Sequence, residues 1–116
     1  MSTQKLNNIL YFVDEVAKTS WNRTFDTEIS QILEYSELIV IHLSHDENDI
    51  LVVFNLQGKE LGVIQSPRVG GGGWNGFTAI KKMQGVPPKA EVTCFNGGVH
   101  IADFKALTLT LTGFTK

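Results

Sequence analysis

Leu6, Ile9, Leu10, Val13, Val16 and Ala17 recur every three or four positions, a spacing that predicts an amphipathic helix over residues 4–18. Thr19, Ser20 and Asn22 interrupt the pattern. Phe25, Ile29, Ile32 and Leu33 form a second stripe and predict a helix over residues 25–35. Thr24 is its expected N-cap, and Asp26 and Glu28 suit the positive end of its dipole. The period then changes. Residues 37–43, Glu-Leu-Ile-Val-Ile-His-Leu, are apolar on both faces, as expected of a strand inside a sheet. A polar turn over residues 45–49 leads to a strand at 50–56, and Gln57-Gly58 leads to another at 61–64. Connections this short predict an antiparallel meander.

Pro67 ends that meander, and residues 68–77 read RVGGGGWNGF. Asn75 is placed to cap a short helix over residues 76–84, which Gly85 and Pro87-Pro88 would stop. Strands at 90–95 and 99–102 flank Asn96-Gly97-Gly98, a hairpin signal. Leu107, Leu109 and Leu111 alternate with Thr108, Thr110 and Thr112, giving a last strand with one dry and one wet face. No internal repeat or linker is visible. The pattern predicts one α+β domain over residues 1–116. It holds an antiparallel sheet of about five or six strands, two N-terminal helices and one short inserted helix.

Composition narrows the setting. Hydrophobic residues make up 42% of the 116 positions and charged residues 19%, as in a soluble globular domain rather than a disordered chain. A net charge of −2 argues against a general grip on nucleic acid polymers. The single cysteine, Cys94, has no intramolecular partner, which points to a reducing compartment. No signal-peptide pattern opens the chain and no apolar run is long enough to span a bilayer, so a cytoplasmic protein without membrane attachment is expected. Asn22-Arg23-Thr24 matches the glycosylation sequon and is expected to stay unmodified there.

The glycine run carries the most chemistry. Without Cβ atoms, Gly70, Gly71, Gly72 and Gly73 allow backbone N–H groups to converge on an anion. The expected helix after them would add its N-terminal N–H groups, capped by Asn75. Arg68, Lys81 and Lys82 flank the run with full charges, and Trp74 and Phe77 offer flat surfaces on which a base can stack. Arg23, beside Trp21 in the break between the two expected helices, is a further candidate that would serve a neighbouring subunit across a two-fold. Together these residues describe a nucleotide pocket. The same run also reads as a plain mobile connection or as a protein-contact loop. It is neither a Walker motif nor a dinucleotide fingerprint.

Other chemistry is weaker. His42 and His45 are three apart, and on a strand they point to opposite faces; with Asp46, Glu47 and Asp49 they read as a solvated turn, not a metal site. His100 near Asp103 reads as a sheet residue, and Cys94 beside Phe95 as a buried, inert thiol. No catalytic residue, metal or cofactor is expected. A small hydrolase using His42 or His100 stays open.

In length, composition, element order and the arginine-glycine-aromatic segment RVGGGGWNGF, the chain resembles small phage-encoded Thoeris anti-defence proteins. Those proteins sequester cyclic ADP-ribose-type signals. The resemblance implies a non-catalytic sponge in the host cytoplasm, a homo-oligomer that binds a cyclic nucleotide and releases it unchanged. The alternative is an inhibitor or adaptor acting on a protein through an exposed loop or sheet edge.

Overall fold

The computed structural model describes residues 1–44, 49–67 and 75–115. Among them there is no helix. Eleven strands follow in chain order: β1 (Ser2–Leu6), β2 (Ile9–Asp14), β3 (Thr19–Thr24), β4 (Ile29–Glu34), β5 (Leu38–Leu43), β6 (Ile50–Asn55), β7 (Glu60–Gln65), β8 (Phe77–Met83), β9 (Lys89–Cys94), β10 (Gly98–Asp103) and β11 (Thr108–Phe114). They make three antiparallel meanders of sequence neighbours: β1-β2-β3, β4-β5-β6-β7 and β8-β9-β10-β11. The fold is therefore all-β, and the expected α+β class is corrected.

The three predicted helices fail for one physical reason. Over residues 4–18, a period of two lies beneath the helical spacing: Leu10 and Phe12 are buried while Tyr11 and Val13 face out. Tyr11, Phe12 and Val13 are aromatic or β-branched and suit a pleated surface. Val16, counted in the helical stripe, is 95% exposed in the turn between β2 and β3. Residues 25–35 contain β4, which buries Ile29 and Leu33 and shifts register against β5 between Ile29 and Gln31. That irregularity mimicked a helical interval. Residues 76–84 form β8, paired to β9 from Phe77 opposite Cys94 to Met83 opposite Lys89. Cross-strand pairing and burial against distant residues override local periodicity in all three places.

The strands expected at 37–43, 50–56, 61–64, 90–95, 99–102 and 107–112 all form, and β5-β6-β7 is the predicted meander. Every residue of β5 is buried, as its two apolar faces require. Leu38 and Val40, with Leu51, Val53 and Ile64, pack on Phe77, Ala90, Val92, Ala102 and Phe104 of the third meander. Ile39, Ile41 and Leu43, with Val52 and Phe54, pack on Leu10 and Phe12 of the first. The central sheet is thus sandwiched. The described molecule measures 47 × 31 × 20 Å along its principal axes.

One device recurs in every layer. Asp14 Oδ1 accepts the Val16 and Ala17 N–H groups, Asn55 Oδ1 those of Gln57 and Lys59, and Asp103 Oδ1 those of Lys105 and Ala106. The β2–β3 and β10–β11 turns end in a left-handed residue four positions after the aspartate, Lys18 (φ 54°) and Leu107 (φ 60°), while the β6–β7 turn has Gly58 (φ 89°) three positions after Asn55, with Lys59 still to follow. The β2–β3 and β10–β11 turns are therefore the same unit, with Asp-x-x-Ala-x-Thr in both, Asp14 to Thr19 and Asp103 to Thr108, whereas the β6–β7 turn closes differently around Asn55 and Gly58. Glycine is required at Gly58 for a second reason. A Cβ there would lie 2.9 Å from Trp21 Cδ2. Trp21 itself stacks on Phe12 at 5.0 Å and donates its indole N–H to Leu56 O at 3.0 Å. Trp21 is thus a packing residue of the core between the first and central meanders.

Candidate functional site

Six of the expected ligand residues, Arg68, Gly70, Gly71, Gly72, Gly73 and Trp74, lie outside the described residues, as do His45, Asp46 and Glu47 of the expected polar turn. The chain on both sides of segment 68–74 is fastened by two buried side chains. Asp49, fully buried, accepts the Phe77 N–H at 2.8 Å and faces His42 Nε2 at 3.3 Å through Oδ2, and accepts the Ser44 hydroxyl at 3.2 Å through Oδ1. Its backbone carbonyl accepts the Ser66 N–H at 2.9 Å. Asn75, 4% exposed, donates from Nδ2 to Pro67 O at 3.0 Å and accepts the Asn96 N–H at 2.9 Å. Gly76 O accepts the Phe95 N–H at 2.9 Å. Residues 66–67 and 75–77 are in this way tied to β5, β6 and the β9–β10 turn.

Asn75 is therefore no helix cap, and its amide is spent within the protein. Phe77 is likewise part of the core, edge-on to His42 with ring centroids 5.6 Å apart. Lys81 and Lys82 are successive strand residues, so they point to opposite faces of the sheet. Lys81 stands across from Glu91, while Lys82 Nζ lies 4.9 Å from the centroid of Tyr35. One ligand cannot take both lysines. Arg23 donates from Nη2 to Gly58 O at 2.7 Å and lies over the Phe54 ring at 5.2 Å. It braces the β6–β7 turn, at the end of β7 remote from Ser66. The structure thus separates the described members of the expected constellation.

Sequence reasoning placed Asp49 in a solvated turn and missed its burial. A backbone N–H, a hydroxyl and the His42 ring nitrogen converge on its two oxygens. Burial pushes the His42 pKa below its ordinary value, and the hydrogen bond and charge of Asp49 only partly oppose that. Nearby, Cys94 Sγ lies 3.7 Å from His100 Nδ1. The pair has the composition of a thiol nucleophile and its base, but burial first, and the Asp49 charge second, push the Cys94 thiol up. A reactive cysteine needs the reverse shift. The inert-thiol expectation agrees with this environment.

A cleft among the described residues lies elsewhere, on the first-meander side of the central sheet. About 510 Å³ in volume, it is lined by Thr24, Phe25, Asp26 and Thr27 from the β3–β4 connection and by Leu43, Ile50, Val52, Glu60 and Val63. Its lining combines five apolar side chains with two carboxylates, Asp26 and Glu60, and two hydroxyls, Thr24 and Thr27. That surface repels phosphate and suits a ligand with an apolar body and cationic or hydroxyl donors. The helix expected over residues 25–35 hid it, because that reading assigns Asp26 to the positive end of a helix dipole.

Among the described residues no group of three His, Cys, Asp or Glu side chains could hold a metal, and no helix is long and apolar enough to cross a membrane. No protein family, no curated protein and no solved structure matches this chain.

Proposed function

We propose that this protein is a non-catalytic binding module, and that residues 68–74 supply its ligand contacts. One observation carries the reading. The buried titratable cluster is engaged in fastening residues 66–67 and 75–77, and its thiol is pushed up, the reverse of what a nucleophile needs. Segments that bind ligands are commonly displayed by a rigid scaffold, and the bonds from Asp49 and Asn75 make such a base.

The ligand class follows from the sequence of that element. Arg68 and the four glycines favour an anion and Trp74 a flat ring, which together describe a nucleotide. Sequestration of a cyclic nucleotide signal, the role implied by the resemblance to Thoeris anti-defence sponges, is the specific form we propose. Arg23, Asn75, Phe77 and the Lys81-Lys82 pair have no part in it as one cradle. A second reading rests on the acidic cleft, which fits a cationic or hydroxyl-rich ligand with an apolar body.

A thermal-shift screen separates the two. A ligand at about 100 times its Kd stabilises by about 2.7 kcal/mol, and each ~1 kcal/mol moves the midpoint of a small domain by several degrees, roughly 4–8 °C. Cyclic nucleotides are expected to raise the midpoint, and the ligand is expected to be recovered unaltered after denaturation. Arg68→Ala should weaken binding by about 1.5–3 kcal/mol, and Gly72→Val should obstruct approach of the backbone to the ligand. Neither should change the circular dichroism spectrum. Stabilisation by polyamines or sugars, abolished by Glu60→Gln but not by Arg68→Ala, would replace the nucleotide reading with the cleft. Recovery of a cleaved product would make the protein an enzyme.

A further inference from the structure

The outer strand β11 is unguarded by charge. Natural sheets protect exposed edges with charge, proline or distortion, because a row of unpaired N–H and C=O groups recruits another strand. The other meanders supply an internal control, since β3, β7 and β11 are each the last strand of a sheet. Strand β3 carries Arg23 and β7 carries Glu60, whereas the opposite edge of the third meander, β8, carries Lys81 and Lys82. Strand β11, Thr-Leu-Thr-Leu-Thr-Gly-Phe, has neither charge nor proline, and Leu111 and Phe114 on it are 51% and 65% exposed. Its one register shift falls opposite Val99 and His100, and the pairing from Thr108 to Leu111 is regular.

The sequence of this edge is also its own complement. Thr108-Leu109-Thr110-Leu111-Thr112 reads the same in both directions about Thr110. An antiparallel pairing of two copies with Thr110 on the two-fold puts leucine opposite leucine and threonine opposite threonine at every step. One face then receives Leu109 against Leu111 of the second copy, and the other receives only threonines. Leu109 already packs against the core between the second and third meanders, so the paired leucines would extend that core across the two-fold. Matched pairs of this kind are the unit of sheet stabilisation. A self-complementary patch closes as an isologous dimer rather than growing into a fibre.

We propose that β11 pairs with β11 of a second copy, centred on Thr110, joining two four-stranded meanders into one eight-stranded sheet. The proposal is independent of the ligand reading, because no residue of segment 68–74 takes part. The test is sedimentation of the full chain, whose monomer mass is 12.8 kDa. Wild type should sediment at twice that mass. Thr110→Lys and Thr110→Glu each set like charges face to face on the two-fold, and each should weaken self-association at least about tenfold. Thr110 is exposed, so both variants should keep the wild-type melting profile at a concentration where all are monomers. An equimolar mixture of the two variants should regain the dimer, because an ammonium group then meets a carboxylate across the two-fold. That rescue distinguishes pairing at Thr110 from any other interface. A monomeric wild type, whether alone or occupied by a different protein along this edge, overturns the proposal. So does a dimer unaffected by either charge, or two monomeric variants whose mixture stays monomeric.

Discussion

Along β5, Ile39, Ile41 and Leu43 meet a layer of aromatic carbon built on Phe12, Trp21, Phe25 and Phe54, whose one indole N–H is satisfied by Leu56. Leu38, Val40 and His42 meet a layer that begins equally apolar and ends in Asp49, Cys94 and His100. Both surfaces are buried by one strand of six residues, so the contrast is a choice of chemistry and not of depth. The first interface needs only shape. The second holds a carboxylate whose partners are spread across three elements, and it does so where residues 66–67 and 75–77 must be fixed. Buried polar networks of this kind specify one arrangement when satisfied and become costly when broken.

The largest expected effect tests the apolar side. Phe54 is fully buried, and its ring neighbours those of Trp21 and Phe25 at 5.9 and 6.0 Å. Phe54→Ala should cost about 3–5 kcal/mol in urea unfolding, through lost transfer energy and the cavity left behind. The loss should be the same at pH 5 and pH 8. A cost under about 1 kcal/mol would mean that the first meander is only loosely docked.

Next comes the polar side. Asp49→Ala orphans the Phe77 N–H, which cannot rotate to another partner, and removes the acceptor of Ser44 and His42. An expected loss of about 2–4 kcal/mol follows from unpaired buried groups at roughly 1–3 kcal/mol each. Asp49→Asn should recover part of it, since the amide oxygen can still accept from Phe77. Hydrogen exchange locates the effect: the Phe77 amide should lose protection in the alanine variant and keep most of it in the asparagine variant. Equal protection in all three proteins would show that Asp49 does not fasten β8.

These partners also explain what could be read in advance. The six strands from β5 onward that were anticipated announce themselves locally, by apolar runs, by Leu-Thr alternation and by Asn-Gly-Gly between two strands. The helical reading of residues 4–18 came from counting Val16 while passing over Tyr11 and Phe12, and only the sheet pairing of β2 shows which period governs. Asp49 illustrates the harder case. Its bond to Phe77 spans 28 residues, and nothing in the polar stretch around it tells a buried carboxylate from a solvated one. The recurring turn left a short trace, Asp-x-x-Ala-x-Thr at Asp14–Thr19 and again at Asp103–Thr108, too brief to stand out as a repeat before the hydrogen bonds are known.

The contrast also has a pH signature. The folded-state pKa of His42 lies below its unfolded value near 6.5, so the unfolded chain binds the extra proton first. The stability contributed by neutral, buried His42 is present above about pH 6.5 and declines as pH falls toward the folded value. For Cys94 the sign is opposite. Its folded pKa is raised above 9.0, so its contribution is present below that value and declines as pH rises through it. Urea midpoints should thus fall on both the acid and the alkaline side. His42→Gln should flatten the acid limb and Cys94→Ala the alkaline one, while Phe54→Ala leaves both slopes in place. An acid limb unchanged by His42→Gln would assign it to other groups.

The smallest expected effect concerns Arg23, which sits at the aromatic interface and had been expected to contact a ligand. Its guanidinium has two uses in the structure, a bond to Gly58 O and a place over the Phe54 ring, both at the rim of the molecule. Rim cation–π contacts are worth about 0.5–1 kcal/mol, so Arg23→Ala should cost roughly that much and no more than about twice it. Arg23→Lys should keep the charge but lose the fork that reaches Gly58, falling between alanine and wild type. Neither variant should alter the acid or alkaline slope, because Arg23 touches the apolar interface and not the Asp49 cluster. Neither should change the affinity for whatever raises the melting temperature. A ligand whose binding weakens tenfold in Arg23→Ala, with stability untouched, would return this residue to the binding site and place that site at the β6–β7 turn.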